Sequence, residues 1–142
     1  MRYCIRSLGV NQLAIMRIFL ACMDEGLRLA LLMLIDHEPG MVVIGMSDRM
    51  RGLLNQLEGS QPDVLLLACE QTDQLVIELL SELQKFTHSP KIVMFSRRLE
   101  NKEHFQNYGV YHFIDMDKPP DELLPILRCF RDDLQYSGVR VT

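Results

Sequence analysis

At 142 residues the chain is the size of one domain, long enough to bury roughly 68–70% of its unfolded surface around a single core. Hydrophobic residues at 48% and charged residues at 24% make an ordinary globular composition, which excludes disorder throughout, a collagen-like repeat or a disulfide-dense miniprotein. Lys plus Arg is 15 against 19 for Asp plus Glu, a net charge of −4, so no basic excess favours a nucleic-acid backbone.

Residues 1–15 carry Arg2 and Arg6, but Gly9, Asn11 and Gln12 break their apolar stretch and no small-residue cleavage site follows, so no export signal is expected. They are read as an N-terminal extension, and Met16 as a natural start, since Met16-Arg17-Ile18-Phe19-Leu20 opens a strand directly. The strand extends to Cys22, and a helix follows with Leu27, Leu31, Leu34 and Ile35 on one face. The longest apolar run, Leu29 to Ile35, lies in that helix and falls far short of the ~20 residues that span a bilayer. Met41 to Met46 reads as the second strand, with Met50, Leu53, Leu54 and Leu57 spaced for a helix after it.

Val64 to Cys69 is the third strand. The helix after it has the clearest stripe, Leu75, Val76, Leu79, Leu80 and Leu83, with Thr72 or Asp73 as its cap and Pro90 beyond its end. Lys91 to Ser96 is the fourth strand, followed by a short polar helix over about Glu100 to Tyr108 that Gly109 stops. Tyr111 to Met116 is the fifth strand. In the last helix Leu123, Leu124, Leu127 and Phe130 face inward, Asp121 is the expected cap, and Pro125 predicts an irregular first turn. Residues 136–142 are read as a frayed tail, leaving 16–135 as the folded domain. Strands that are apolar without alternation suit a parallel sheet covered on both faces, so five strand–helix units predict a doubly wound α/β sandwich.

The order of these segments resembles the receiver domain of bacterial two-component response regulators. The resemblance rests on MRIFLAC, HEPGMVVIGMS, QPDVLLLA, KIVMFS and YGVYHFIDMDKPPDELLPIL, and covers about Met16 to Asp132. It implies a flavodoxin-like five-stranded parallel sheet in the order 2-1-3-4-5, with the functional crevice at the carboxyl ends of the strands. It also implies a carboxylate pair holding magnesium after the first strand and a phosphate-accepting aspartate ending the third. A Ser or Thr ends the fourth strand in the family, and a lysine ends the fifth. Here those positions hold Cys22 and Met23, Ala68, Ser96 and Met116, so only Ser96 matches, and Phe113 stands where the family has its switch aromatic.

Phosphoryl transfer needs an oxygen nucleophile, and magnesium needs oxygen ligands. A degenerate receiver that is not an enzyme, takes no cofactor and requires no magnesium is therefore expected, working in the cytoplasm through a protein partner or as a homodimer. No direct nucleic acid, membrane or small-molecule partner is expected. The face made by the fourth helix, fifth strand and fifth helix would offer Arg97, Arg98, His104, Phe105, Tyr108, Tyr111 and His112 to such a partner, aromatics and arginines being enriched at interfaces.

Alternative readings use the crevice differently. Asp24, Glu70, Asp115 and Asp117, with Lys118, would rebuild a displaced acidic site, whereas Cys22 and Cys69 would make a thiol-redox or soft-metal sensor. The four cysteines Cys4, Cys22, Cys69 and Cys129 have no zinc spacing or disulfide framework, and reduced thiols are the default. A nucleotide-binding module ranks last, because Cys22-Met23-Asp24-Glu25-Gly26 lacks a phosphate-cradling glycine pattern.

Overall fold

The computed structural model describes residues 15–68, 73–97, 102–119 and 121–141. Strands β1 (Met16–Cys22), β2 (Met41–Ser47), β3 (Val64–Ala68), β4 (Lys91–Ser96) and β5 (Val110–Asp115) alternate with helices α1 (Glu25–Asp36), α2 (Leu53–Ser60), α3 (Asp73–Leu83), α4 (Lys102–Gln106) and α5 (Leu123–Val141). All neighbouring strands pair in parallel, in the order β2-β1-β3-β4-β5. This is the doubly wound sandwich that the alternation of segments predicts.

The period of two along each strand divides the apolar residues between the two faces. Ile18, Leu20, Leu66 and Val93 join Leu31 and Ile35 of α1 and Leu127 and Phe130 of α5 in one core. Phe19, Leu65, Leu67 and Met94 join Leu57 of α2, Leu80 and Leu83 of α3 and Phe105 of α4 in the other. Every residue of β3 is buried, which explains its unbroken apolar sequence. The pairing of β1 with β2 slips once, Ile18 lying opposite Val43 and Phe19 opposite Gly45, so that Ile44 has no partner across the ladder. A Cβ on Gly45 would come within 2.6 Å of the Phe19 ring, so the slip is fitted to a glycine.

Away from the strands, Glu38 fixes the turn after α1 to α5. Arg128 donates from Nε and Nη2 to its two carboxylate oxygens, and Arg131 donates to the Pro39 carbonyl at 2.9 Å. Arg128 beside it holds the Glu38 carboxyl below the usual glutamate range.

Three boundaries differ from expectation. Helix α4, Lys102–Gln106, stops short of Tyr108 because the chain enters a turn in which Tyr108 and Gly109 donate to Phe105 and Gln106, and Gly109 adopts φ +91°. Helix α5 begins at Leu123, two residues past Asp121, with Ile126 donating to Glu122. Pro125 is accommodated there because the first-turn amides have no intrahelical acceptor to lose. The same helix continues to Val141 through the segment read as a tail, since one glycine, Gly138, costs only ~1 kcal/mol in a helix.

Candidate functional site

The carboxyl ends of β1, β3, β4 and β5 meet at one edge of the sheet, where open parallel sheets place their ligands. Cys22, at the end of β1, is 1% exposed and pairs across the ladder with Ala68, itself 2% exposed. The Cys22 thiol donates to the Asp24 carbonyl at 3.3 Å, and burial pushes its pKa up. It is thus a neutral packing group and a poor thiolate at neutral pH. Met23 donates its amide to the Ala68 carbonyl at 3.0 Å and packs into the core on the α2–α3 side. Met116 packs against the opposite core and donates its amide to the Ser96 carbonyl at 3.1 Å. The sulfur side chains thereby fill the end of the sheet as packing material.

The acidic residues are occupied in a different way. Asp24 caps α1, accepting from the Leu27 amide on Oδ1 at 2.8 Å with extended backbone, φ −94° and ψ 118°. Asp115 accepts from the Asp117 amide at 2.9 Å, closing a short turn on its own chain. Asp117 accepts from Arg97 Nε at 3.0 Å in an exposed ion pair. Lys118 is exposed on the same turn, its amide donating to the Asp115 carbonyl. Among the described residues no three His, Cys, Asp or Glu side chains come together as a ligand set. Cys69, Glu70, Arg98 and the His104 ring lie outside the described residues, so the Cys22–Cys69 pairing and the share of Glu70 in a displaced site go with them.

No family model matches the chain, and no curated protein sequence does. Solved structures do. A DNA-binding response regulator of the LuxR family from Staphylococcus aureus superposes with a TM-score of 0.71 at 18% identity, covering 82% of this chain and 99% of its own. The response regulator domain of Thermotoga maritima CheB gives 0.70 at 19%, over 86% and 97%. The chain has the response regulator receiver fold. A CheY-like receiver domain protein from Methanospirillum hungatei matches equally well, with a TM-score of 0.71 at 20% identity over 88% and 100% of the two chains.

On this receiver fold, the resemblance implies magnesium between the ends of β1 and β3, and the residues present do not fit it. A hard cation takes oxygen ligands. The two side chains at the end of β1 offer sulfur, one of them a buried thiol, and Ala68 offers nothing. The nearest carboxylate in sequence, Asp24, has its Oδ1 engaged by the Leu27 amide as the cap of α1.

Of the positions expected to form a partner face, Phe105 is 5% exposed in the core beneath α3 and α4, whereas Arg97 stands at the surface. Phe113, the switch-aromatic position, is 9% exposed in the same core. Tyr108 is half-buried against that core, and His112 is half-buried on β5. Tyr111 reaches solvent, but its ring stands edge-on to Phe130 at 5.0 Å with the Lys91 ammonium 4.5 Å above it.

What the sequence reading missed is on α1. Leu29 is 50% exposed and Met33 is 64% exposed, with Gly26 and Ala30 beside them. The signal was available, since from Gly26 to Ile35 the only charged residue is Arg28.

Proposed function

We propose that the chain is a phosphorylation-independent receiver-like signalling module that acts by binding, to a protein partner or to a second copy of itself, and not as an enzyme. The observation that carries this reading is Ala68, a buried methyl group at the end of β3 where the fold would present its phosphate-accepting carboxylate. A phosphoryl group needs an oxygen nucleophile and positive charge to neutralise the transferring oxygens. Among the described residues, Ala68 supplies no nucleophile at the end of β3, and Met116 supplies no charge at the end of β5. No magnesium, small-molecule substrate or direct nucleic-acid contact belongs to this reading. The burial of Cys22 and its raised pKa count against a thiol sensor. Among the described residues, no helix is long and apolar enough to cross a membrane.

The melting temperature of the protein with and without magnesium plus beryllofluoride, a phosphoryl mimic, tests the proposal, because any ligand specific for the native state raises stability by mass action. No shift is expected. A magnesium-dependent rise would overturn the reading and reinstate a displaced acidic pocket.

A further inference from the structure

Arginine carries five N–H donors and a charge it does not lose, so a half-buried arginine ordinarily meets a carboxylate. Arg28 on α1 is half-buried, and its Nη1 donates to the Cys22 carbonyl at 2.9 Å. Among the described residues no carboxylate stands within ion-pair distance of its guanidinium. Asp24, one turn earlier on the helix, has its Oδ1 engaged by the Leu27 amide. Arg28 lines an open cavity of about 550 Å³ at the carboxyl end of β2, together with Ser47, Asp48 and Arg49 of the turn after that strand and Gln56 of α2. Ser47 is 7% exposed and fixes the turn, its hydroxyl donating to the Arg49 carbonyl at 2.8 Å and accepting the Arg49 amide at 3.3 Å. The Arg49 guanidinium donates from Nε to the neighbouring Asp48 carboxylate at 3.1 Å, both side chains being exposed. That hydrogen bond and the charge of Arg49, joined by the charge of Arg28, hold the Asp48 carboxyl below the usual aspartate range. Two guanidinium groups thus act on one carboxylate, and Arg51 adds a third positive charge to the same loop in a chain whose net charge is −4.

We infer that this cavity holds a phosphate monoester carried on a side chain of the partner protein, with Arg28 and Arg49 as its two anchors. A phosphate monoester brings nearly two negative charges and three acceptor oxygens at neutral pH, enough to engage a guanidinium on each side at once. The planar fork of arginine matches those oxygens. A partner carboxylate would only duplicate Asp48. The Asp48–Arg49 pair is exposed and open to screening by solvent, so a doubly charged ligand displaces it readily. The cavity also lies at the carboxyl edge of the sheet, the edge at which open parallel sheets take their ligands, and its size is that of a ligand site.

This inference rests on the reading of the chain as a binding module and names the chemistry of its partner. The two fail separately. The beryllofluoride response depends on magnesium and reads the end of β3, whereas binding beside β2 depends on the two arginines and needs no magnesium.

The test is a titration of the full chain, free of magnesium and at constant ionic strength, with N-acetylphosphoserine methylamide, followed by the NMR signals of backbone amides and arginine side chains. The expected result is saturable shifts at Arg28 and Arg49 with a Kd of roughly 1 mM, and no saturation by the corresponding aspartate derivative. Arg49→Gln is expected to weaken binding about tenfold by removing one charge-assisted anchor, and it spares the fold because the guanidinium is exposed. Asp48→Asn reads the mechanism directly. It removes the competing carboxylate and keeps its shape, so binding is expected to tighten, whereas a merely structural Asp48–Arg49 pair would make the same change neutral or harmful. Absence of saturable binding overturns the inference, as does binding that Arg49→Gln leaves unchanged or that Asp48→Asn fails to tighten. Inorganic phosphate supplies the comparison of source. Saturation by inorganic phosphate without saturation by the phosphoserine derivative would overturn the partner-borne ligand in favour of a free anion.

Discussion

The outer face of α1 and the surface around α4 and β5 have opposite relations between composition and exposure. The second is richer in aromatics, but Phe105 and Phe113 are in the core, while Tyr111, beside Phe130 and under the Lys91 ammonium, stays 57% exposed. The first holds no aromatic residue, and its Leu29 and Met33 have no covering neighbour of that kind. Interface enrichment of aromatic residues describes surfaces after folding has taken its share. What remains exposed, and not residue type alone, marks a surface with binding capacity left.

Substitutions at the two surfaces should therefore be read by different instruments. Phe105→Ala is expected to cost about 3–5 kcal/mol of stability in chemical denaturation, as truncation of a core aromatic does. A loss below about 1 kcal/mol would return Phe105 to the list of partner residues. Lys91→Met should cost roughly 0.5–1 kcal/mol, the worth of an exposed cation–π contact, and should increase the solvent accessibility of Tyr111 seen in its ultraviolet absorbance. Met33→Glu should change monomer stability by no more than about 0.5 kcal/mol at low concentration, where nothing covers it. A larger loss would mean that α1 is already packed in the monomer.

The smallest effect is a pH dependence at the junction of α1 and α5. Arg128 lowers the folded pKa of Glu38 below its ordinary value of about 4.5. The resulting stability is present above that ordinary value and is lost as pH falls through the folded one. Glu38→Gln should lower the melting temperature at pH 7, and the gap from the parent chain should close in acid. A gap that is constant from pH 7 to pH 3 would assign the effect to packing.

Much of the fold was legible because strands buried on two faces write themselves as unbroken apolar runs, Val64 to Ala68 being the plainest. Helix ends were less legible. Pro125 looked disruptive because its cost depends on whether its amide lies in the first turn, a matter of two residues that periodicity does not resolve. At the crevice residue type alone told which atoms are lacking at two positions, since Ala68 carries no oxygen nucleophile and Met116 no charge wherever they point. The fate of the spare carboxylates was not legible, because whether Asp24 serves a ligand or the Leu27 amide depends on the local turn. The α1 face escaped notice because its apolar run was weighed against a bilayer, and its outward positions were not weighed against water.

The slip between β1 and β2 also bears on how the protein behaves when crowded. Met41–Ser47 is an edge strand without a charged residue, and a straight edge of that kind templates the addition of further chains. Here the spacing of donors and acceptors breaks midway, at Ile44, so an incoming strand that starts in step with one half falls out of step with the other. The irregularity fits closely only because Gly45 leaves room for the Phe19 ring. A single missing side chain thus helps close this edge of the sheet to open-ended growth.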